Sequence, residues 1–242
     1  TPGDDGKWTF HGGTAGAEGS EVLTGNAGAD SIEGGAGADT LNGEDGADTL
    51  TGGLGVDTIN GGAGNDTIVY AMGDGNGVIH GGANTDTLII TDGAPGSILN
   101  VSFNGATLTA VSGNGVSNVE IVSANMGGGT DWLIYAAASA AVAVNLGTGV
   151  ASGFTGTLIS GIERVIGGNG DDRIGGDGLD NRLEGGAGAD ALLGAGGIDA
   201  IFGGDGDDVI AGGLGNDSLQ GNAGADTFYW SFDAGRDTFN GG

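Results

Sequence analysis

The stretch GGAGNDTIVY, residues 61–70, decides the fold because it joins a glycine-rich turn directly to strand-forming residues. The same phrase occurs earlier as GGAGADTLN at 34–42 and as GGLGVDTIN at 52–60. Glycine reaches the positive-φ backbone conformations that sharp turns need, whereas Thr, Ile and Val favour extended strands. Each copy therefore predicts a tight turn, an aspartate and a short strand.

The aligned copies have a nine-residue period: Gly, Gly or Asn, any residue, Gly, any residue, Asp, any residue, a large apolar residue and any residue. One block of repeats starts at Gly25 and a second at Gly167, and each contains a two-residue insertion. Glu21 and Gly77 replace the aspartate in two weaker copies. The sixth positions of the other repeats hold Asp30, Asp39, Asp48, Asp57, Asp66 and Asp86, then Asp172, Asn181, Asp190, Asp199, Asp208, Asp217, Asp226 and Asp237. Such a period predicts a repeat architecture.

A single repeat cannot bury its large apolar residue, but two repeats placed back to back can. Stacking such pairs gives a parallel coil of about 18 residues per turn. We therefore predict an all-β fold, a parallel β-roll or β-solenoid in which alternate repeats share an edge. In the first block, Asp30, Asp48 and Asp66 then line one edge, and Asp39 and Asp57 line the other.

The composition limits the possible functions. The chain has 242 residues with 60 glycines, two prolines, no cysteine and a net charge of −27. Glycine does not recur at every third position, which excludes collagen. So acidic a chain is a poor partner for nucleic acid or anionic lipid and attracts cations instead. No run of about 18 apolar residues occurs, so we expect no membrane insertion. The sequence starts without Met and stops where another repeat opens, so we expect a piece of a longer protein.

Stacked turns would align carboxylates along each edge, where like charges repel unless a cation lies between them. The aspartates could alternatively serve only as local caps of the turns. Oxygen ligands without His or Cys select a hard cation, and a flexible, carbonyl-rich turn suits calcium better than octahedral magnesium. The sequence therefore predicts several calcium ions.

The repeats resemble the RTX, or haemolysin-type calcium-binding, family of secreted bacterial proteins over residues 25–69 and 167–228. The resemblance implies one calcium ion between each stacked pair of turns, held by both aspartates and by main-chain carbonyls. About seven sites are then well supported by the repeat pattern. They are Asp30–Asp48, Asp48–Asp66, Asp39–Asp57, Asp172–Asp190, Asp190–Asp208, Asp208–Asp226 and Asp199–Asp217.

The resemblance also names the expected ligands. The side-chain ligands would be Asp30, Asp39, Asp48, Asp57, Asp66, Asp86, Asp172, Asp190, Asp199, Asp208, Asp217, Asp226 and Asp237. The carbonyl ligands would be Gly34, Ala36, Gly43, Asp45, Gly53, Gly55, Gly62, Gly64, Gly203, Asp205, Asn222 and Gly224. Glu21, Gly77 and Asn181 depart from the family pattern. Asp86 and Asp237 follow the insertions, so they would pair with Asp66 and Asp217 across them.

Residues 91–166 lose the nonapeptide but alternate apolar and small polar residues, as strands do. They take part in a duplication: TDTLII at 85–90 matches TDWLIY at 130–135, and SNVEIV at 117–122 matches SGIERV at 160–165. We expect broader coils or a small sandwich here. The predicted parts are an N-terminal segment with one degenerate repeat at 1–24, a first roll at 25–90, a duplicated β-rich spacer at 91–166 and a second roll at 167–242.

The sequence does not indicate an active site. His11 and His80 are its histidines, and no H-E-x-x-H, G-x-S-x-G or P-loop pattern occurs. Acid pairs such as Asp171-Asp172 could suggest glycoside hydrolysis, but they fall on repeat positions that calcium or solvent explains. The third repeat position also lacks the regular Thr or Asn array that an ice-binding surface would need.

We therefore expect a non-catalytic, calcium-dependent structural module of a secreted or cell-surface bacterial protein, such as a surface layer, fibre or adhesin. Because ordering glycine is costly and each inward Ile or Leu returns only about 1.5–3 kcal/mol, folding should require calcium outside the cell. The alternative is a C-terminal accessory domain of a hydrolase, epimerase or toxin that uses type I secretion. The repeats reach Phe239 without a polar cap, so copies could associate end to end.

Overall fold

The structure is a computed structural model that describes residues 9–11, 19–75, 77–91, 98–104, 107–112, 114–117, 121–127, 129–135, 138, 140–152, 159–230 and 235–242. Throughout these residues the regular elements are β-strands, which confirms the predicted all-β class. The chain divides into two compact units. The first comprises residues 1–93, 107–125 and 155–157, and the second comprises 94–106, 126–154 and 158–242.

The strands are short and closely spaced. The first thirteen are β1 (Thr9–His11), β2 (Val22–Thr24), β3 (Ser31–Ala36), β4 (Thr40–Asp45), β5 (Thr49–Leu54), β6 (Thr58–Ala63), β7 (Thr67–Ala71), β8 (Val78–Ala83), β9 (Thr87–Thr91), β10 (Ile98–Asn104), β11 (Thr107–Val111), β12 (Asn114–Ser117) and β13 (Ile121–Asn125). The others are β14 (Trp132–Ile134), β15 (Ala143–Asn145), β16 (Val150–Ala151), β17 (Ile159–Ser160), β18 (Arg164–Ile166), β19 (Arg173–Gly175), β20 (Arg182–Ala187), β21 (Ala191–Gly196), β22 (Ala200–Asp205), β23 (Val209–Leu214), β24 (Ser218–Ala223), β25 (Thr227–Tyr229) and β26 (Thr238–Asn240).

In the first unit, alternate strands pair in parallel. One sheet runs β1-β3-β5-β7-β9-β13, and the other runs β2-β4-β6-β8-β12-β11 with an antiparallel pair at β11–β12. Ser31 lies opposite Thr49, and the residues before them, Asp30 and Asp48, are hydrogen-bonded at the predicted separation of 18. After the insertion, Thr67 lies opposite Thr87, and the separation between Asp66 and Asp86 is 20. The two extra residues lengthen one coil and leave the register of the strands intact.

The second unit repeats this arrangement. One sheet runs β10-β14-β18-β20-β22-β24-β26, and the other runs β16-β15-β19-β21-β23-β25, with an antiparallel pair at β15–β16. Leu183 lies opposite Ile201 in a coil of the regular length, and Leu219 lies opposite Phe239 in a coil that contains the second insertion. The parallel β-solenoid predicted from the repeat period is confirmed.

The eighth residue of each repeat faces the interior between the two sheets. The side chains of thirteen such residues are at most 4 % exposed: Ile32, Leu41, Leu50, Ile59, Ile68, Ile79, Leu88, Ile174, Leu183, Leu192, Ile201, Ile210 and Leu219. Burial of each contributes about 1.5–3 kcal/mol. Phe239 also occupies this position but is 46 % exposed and packs edge to face on Phe228, with 5.6 Å between ring centroids.

The duplicated segment forms wider coils. Strand β13 pairs in parallel with β9, and Ile121 lies opposite Thr87, which makes this coil longer than a repeat coil. Strand β18 pairs in parallel with β14, and Arg164 lies opposite Trp132 in a second long coil. We call β9–β13 and β14–β18 the wide coils. Of the two arrangements expected from the sequence, this parallel pairing favours broader coils over a sandwich. The boundaries proposed at 24, 90 and 166 stay a prediction.

Candidate metal centre

The repeat aspartates lie where each glycine-rich turn meets its strand, and most of them are buried. Exposure is at most 7 % for Asp30, Asp39, Asp48, Asp57, Asp66, Asp86, Asp172, Asp190, Asp199, Asp208 and Asp217. Asp226 and Asp237 are partly exposed. Ionised carboxylates are seldom buried unless a hydrogen bond or a cation compensates them. The packing of the coils therefore removes these acids from water and makes their partners important.

In the first unit, the repeat aspartates from Asp39 to Asp86 each accept a hydrogen bond from the coil before them. Asp48 Oδ1 accepts the N–H of Asp30 at 2.7 Å, and Asp66 Oδ1 accepts the N–H of Asp48 at 2.9 Å. On the other edge, Asp57 Oδ1 accepts the N–H of Asp39 at 2.9 Å. The structure thus brings together the residues predicted to share each edge, in two ladders of carboxylates.

The second unit has the same two ladders. In each bond, the main-chain N–H of one residue donates to a side-chain oxygen of the residue one coil later. On one edge the bonds run from Asp172 to Asp190, from Asp190 to Asp208 and from Asp208 to Asp226. On the other edge they run from Asn181 to Asp199 and from Asp199 to Asp217. The insertions do not break the ladders. Asp86 Oδ1 accepts the N–H of Asp66 at 2.9 Å, and Asp237 Oδ1 accepts the N–H of Asp217 at 3.0 Å.

The two repeats without an aspartate, at Glu21 and Gly77, differ from each other. The N–H of Glu21 still donates to Asp39 Oδ1, whereas Gly77 supplies no side chain.

Sequence reasoning missed two members of a ladder. Asp131 is fully buried, and its N–H donates to Glu163 Oε2 at 2.9 Å. The N–H of Arg182 in turn donates to the carbonyl of Glu163 at 2.9 Å, which places Glu163 one coil before Asn181. The signal was present, because the duplication aligns Asp131 with Asp86.

The second carboxylate oxygen of many repeat aspartates is buried without a hydrogen-bond partner among the described residues. It is Oδ2 in Asp39, Asp48, Asp66, Asp190, Asp199, Asp208, Asp217 and Asp226. Nearly all buried polar atoms in folded proteins have a partner, and an unpaired buried anion is especially costly. A recurring unpaired oxygen therefore points to a ligand that binds at the same place in successive coils.

Each of these oxygens faces a small cradle beside the first glycine of its turn. A β-carbon built on Gly34 would lie 2.5 Å from the carbonyl oxygen of Gly52 and 2.7 Å from Asp39 Oδ2. The same pairing of a carbonyl oxygen with an unpaired Oδ2 occurs at Gly43, Gly61, Gly185, Gly194 and Gly203. A larger residue would fill this cradle, which explains why the first position is glycine.

The donor set fits a hard cation. Six of the cradles bring together a carboxylate oxygen and a carbonyl oxygen from the next coil, which are ligand types that calcium prefers. In the described ranges, no three carboxylate or imidazole side chains form a cluster that could hold a metal ion. Main-chain oxygens would therefore have to complete the coordination, as the repeat pattern predicts.

The predicted carbonyl ligands lie at several places in the turns. The carbonyls of Gly43 and Gly203 lie beside Asp30 and Asp190 at a first-position glycine. Those of Gly53, Gly55, Gly62, Gly64, Asn222 and Gly224 belong to positions two and four, and those of Gly55, Gly62 and Asn222 closely approach glycines of the following coil. Gly34 is a first-position residue, whereas Ala36, Asp45 and Asp205 hold the third position and pair in the strand ladders. Ligation by all of these residues stays a prediction. The sequence reasoning did not select the cradle carbonyls of Gly52, Gly61, Gly81, Gly212 and Gly221.

Burial makes eight of these acids harder to ionise in the absence of a cation. It raises the pKa of Asp48, Asp190 and Asp199 to about 6, and neighbouring carboxylates add to the rise. The hydrogen bond from the preceding N–H only partly offsets it. The pKa is also raised, mainly by burial, in Asp57, Asp66, Asp172, Asp208 and Asp217. A bound divalent cation would favour the ionised form.

Comparison with known protein families supports this geometry. The family described as the RTX calcium-binding nonapeptide repeat (4 copies) matches residues 16–50, 34–68, 42–76, 166–201 and 202–229, just over half of the chain. The chain belongs to the RTX calcium-binding repeat family. RTX repeats bind calcium and form a structural β-roll, and they are typical of secreted bacterial proteins. The RTX match covers the coils that contain the cradles. No curated protein matches the chain significantly. No helix in the described ranges is long and apolar enough to cross a membrane.

Proposed function

We propose that this RTX chain is a non-catalytic structural module that folds when calcium binds outside the cell. The observation that carries the proposal is the recurring buried Oδ2 atom that faces a carbonyl oxygen of the next coil. The residues that would hold calcium are the repeat aspartates together with turn carbonyls such as Gly52 and Gly203. Bound calcium supplies positive charge and ligand sites for these oxygens.

The charge of the chain supports coupling between calcium and folding. Folding concentrates buried carboxylates in ladders, one in each successive coil, in a chain of net charge −27. Without a cation, these groups must either stay ionised in a poorly solvated site or take up protons. Since the unfolded chain offers no assembled cradle, calcium that binds the folded state stabilises folding directly.

One groove of the second unit offers no catalytic group. It has a volume of about 460 Å³ beside β15, β19 and β21. Apolar side chains such as Val150, Leu193 and Val209 line it, and Arg173 is its charged residue. Its lining contains no Ser, Cys, His, Asp or Glu that could act as a nucleophile or general base. This groove therefore gives no support for a catalytic role.

We place this module in a secreted or cell-surface bacterial protein, such as a surface layer, fibre or adhesin. End-to-end association of copies, as proposed for a fibre, would cover Phe239 of β26, which holds a core position and is 46 % exposed. The same repeats would also suit a C-terminal accessory domain of a type I-secreted hydrolase, epimerase or toxin. The sequence that flanks this chain in its gene distinguishes the two: further repeats support the structural protein, and a catalytic domain supports the accessory role.

Calcium titration of the metal-free chain tests the proposal. We expect circular dichroism to gain its β signal as calcium is added, with several ions bound per chain by isothermal titration calorimetry. Light scattering in the same samples should rise with calcium if copies associate end to end. A full β spectrum in the absence of calcium, unchanged by its addition, would contradict calcium-coupled folding. A strictly monomeric chain at high calcium would favour the accessory-domain role.

A further inference from the structure

In three turns, the side chain of the sixth residue accepts a hydrogen bond from the main chain of the same turn. We call residues 25–30, 167–172 and 176–181 the closed turns, because in each the N–H of the second residue donates to the side chain of the sixth. The distances are 2.7 Å from Asn26 to Asp30 Oδ2, 2.7 Å from Gly168 to Asp172 Oδ2 and 2.9 Å from Asp177 to Asn181 Oδ1. The oxygen that faces the cradle therefore already has a hydrogen-bond donor in these turns.

The other nonapeptide turns, which we call open turns, have a different backbone. Their second residue has positive φ, and it is Gly35, Glu44, Gly53, Gly62, Gly82, Gly186, Ala195, Gly204, Gly213 or Asn222. Asn26, Gly168 and Asp177 do not have positive φ. The eight Oδ2 atoms described above as unpaired all belong to aspartates of open turns. Eight of the ten open turns thus leave this acceptor unpaired, whereas the three closed turns satisfy it.

The N–H of a closed turn competes with a cation for the same oxygen. A β-carbon built on Gly25 would lie 2.5 Å from Asp30 Oδ2 and 2.5 Å from the carbonyl of Gly43, the same pair of oxygens as in an open cradle. The amide hydrogen of Asn26 carries partial positive charge and points at that carboxylate oxygen. A cation placed there would be repelled by it, so binding would require the turn to change its backbone conformation.

The sixth residue of one closed turn is uncharged. Asn181 takes the place of the aspartate, and its Oδ1 faces the same position beside Gly176 and the carbonyl of Gly194. The hydrogen bond that Asn181 accepts from the N–H of Asp177 needs an oxygen atom but no negative charge. A neutral amide would be a poor substitute for a carboxylate that must compensate a divalent cation.

In two closed turns, the N–H of the fourth residue also donates to a side chain of the same turn. The N–H of Gly28 donates to Asn26 Oδ1 at 2.9 Å, and that of Leu179 donates to Asp177 Oδ1 at 2.9 Å. In an open turn, the corresponding N–H of Gly46 donates instead to a carbonyl of the following coil at 2.8 Å. A closed turn can therefore form these bonds without the next coil, whereas an open turn cannot.

We propose that the three closed turns bind no calcium. Hydrogen bonds within each turn would instead stabilise the start of each repeat block. This rests on the proposed calcium-binding function of the open turns. The first block begins with the closed turn 25–30, and the second begins with the closed turns 167–172 and 176–181. The sites expected between Asp30 and Asp48 and between Asp172 and Asp190 are then absent. The ladder bonds to Asp86 and Asp237 favour sites with Asp66 and Asp217 in their place.

Matched substitutions test the proposal in one ladder. Asp30→Asn changes a closed turn and Asp48→Asn changes an open turn, and both keep the size of the side chain. Native mass spectrometry of calcium-loaded chains should count one ion fewer in Asp48→Asn and an unchanged number in Asp30→Asn. Asp172→Asn and Asp190→Asn provide the same comparison in the second unit, in case an open-turn variant of the first unit fails to fold.

Asn181→Asp is the opposite test, because it restores the residue that the repeat pattern prefers. The closed turn should keep its hydrogen bond from Asp177, so the variant should bind no additional ion. Loss of an ion in Asp30→Asn equal to that in Asp48→Asn, or gain of an ion in Asn181→Asp, would overturn the proposal. A wild-type chain that binds no calcium would instead overturn the proposed function, so the two failures are distinguishable.

Discussion

The coils of the repeat blocks and the wide coils use different sources of stability. A coil of the second block buries one Ile or Leu per strand, such as Ile201, and leaves Oδ2 atoms without a partner. The wide coil at β14–β18 buries Leu133 and the larger side chain of Tyr135, whose hydroxyl donates to the carbonyl of Ser152 at 2.8 Å. We therefore expect apolar burial to contribute more to a wide coil, whereas a repeat coil would depend on calcium under the proposed function.

The acidic side chains of the two regions also differ in how they use their carboxylate oxygens. Glu163 follows Asp131 in the ladder, and its longer side chain reaches the N–H of Asp131 at 2.9 Å. In the open turns of the repeat coils, an aspartate such as Asp208 uses one oxygen for this bond and directs the other at a cradle. The comparison predicts that calcium removal, protons and cradle mutations affect the repeat coils more than the wide coils.

Calcium removal should have the largest effect. In excess chelator the β signal in circular dichroism should be mostly lost, because the buried carboxylates of the repeat coils lose their counter-charge. Hydrogen exchange measured by mass spectrometry should be fast in residues 181–230 and slower in 129–135. Calcium should restore protection, and magnesium at the same concentration should restore little, since it demands stricter octahedral geometry. Equal exchange in both segments would contradict the comparison.

Acidification should act in opposite directions with and without calcium. Burial raises the pKa of Asp48, Asp190 and Asp199 to about 6, above the value of about 3.9 for an unfolded aspartate. Between these values the folded, metal-free chain binds more protons than the unfolded chain, so its stability rises as pH falls from about 7 to 5. Calcium requires the ionised carboxylates, so its affinity should fall over the same range.

Urea denaturation at pH 7.5 and pH 5 measures how stability changes with pH, both with and without calcium. The metal-free sample should be prepared by passage over a chelating resin, because soluble chelators lose affinity in acid. Circular dichroism should show more β structure at pH 5 than at pH 7.5 in that sample. The urea midpoint of the calcium-loaded chain should move the other way. A metal-free chain that loses structure on acidification would show that desolvation of these aspartates does not limit its stability.

Filling one cradle should have a smaller effect. In Gly203→Ala, the new methyl group would meet Asp208 Oδ2 and the carbonyl of Gly221, which is 2.7 Å away. We expect loss of one calcium ion and destabilisation by about 1–3 kcal/mol, the range typical of overpacking. Gly178→Ala is the control in the same unit, since nothing lies within 4 Å of a β-carbon there. Calorimetric calcium counts and thermal melts distinguish the variants, and equal counts would remove the cradle as a metal site.

The period of the sequence was sufficient to predict the coil length, the two edges and the aspartates that share them. It could not predict which turns are closed, because residue type does not decide the backbone of the second position. Glu44 and Ala195 adopt positive φ there despite the cost, whereas Gly168 does not. The role of Glu163 was also hidden, since the nine-residue period does not apply in the wide coils.

Mutation of Glu163 should produce the smallest effect and tests whether a wide coil is independent of calcium. Its Oε2 accepts the N–H of the buried Asp131, so Glu163→Ala removes that acceptor. The expected loss is about 1 kcal/mol, the net contribution of one hydrogen bond. In a domain of this size, that lowers the melting temperature by about 2–4 °C. Glu163→Gln keeps an acceptor oxygen and should melt close to wild type. Both variants should bind as much calcium as the wild type, because the contact satisfies a main-chain donor and not a cation. If Glu163→Gln loses an ion while it keeps its melting temperature without calcium, Glu163 acts as a metal ligand. The wide coils would then share the calcium dependence of the repeat coils.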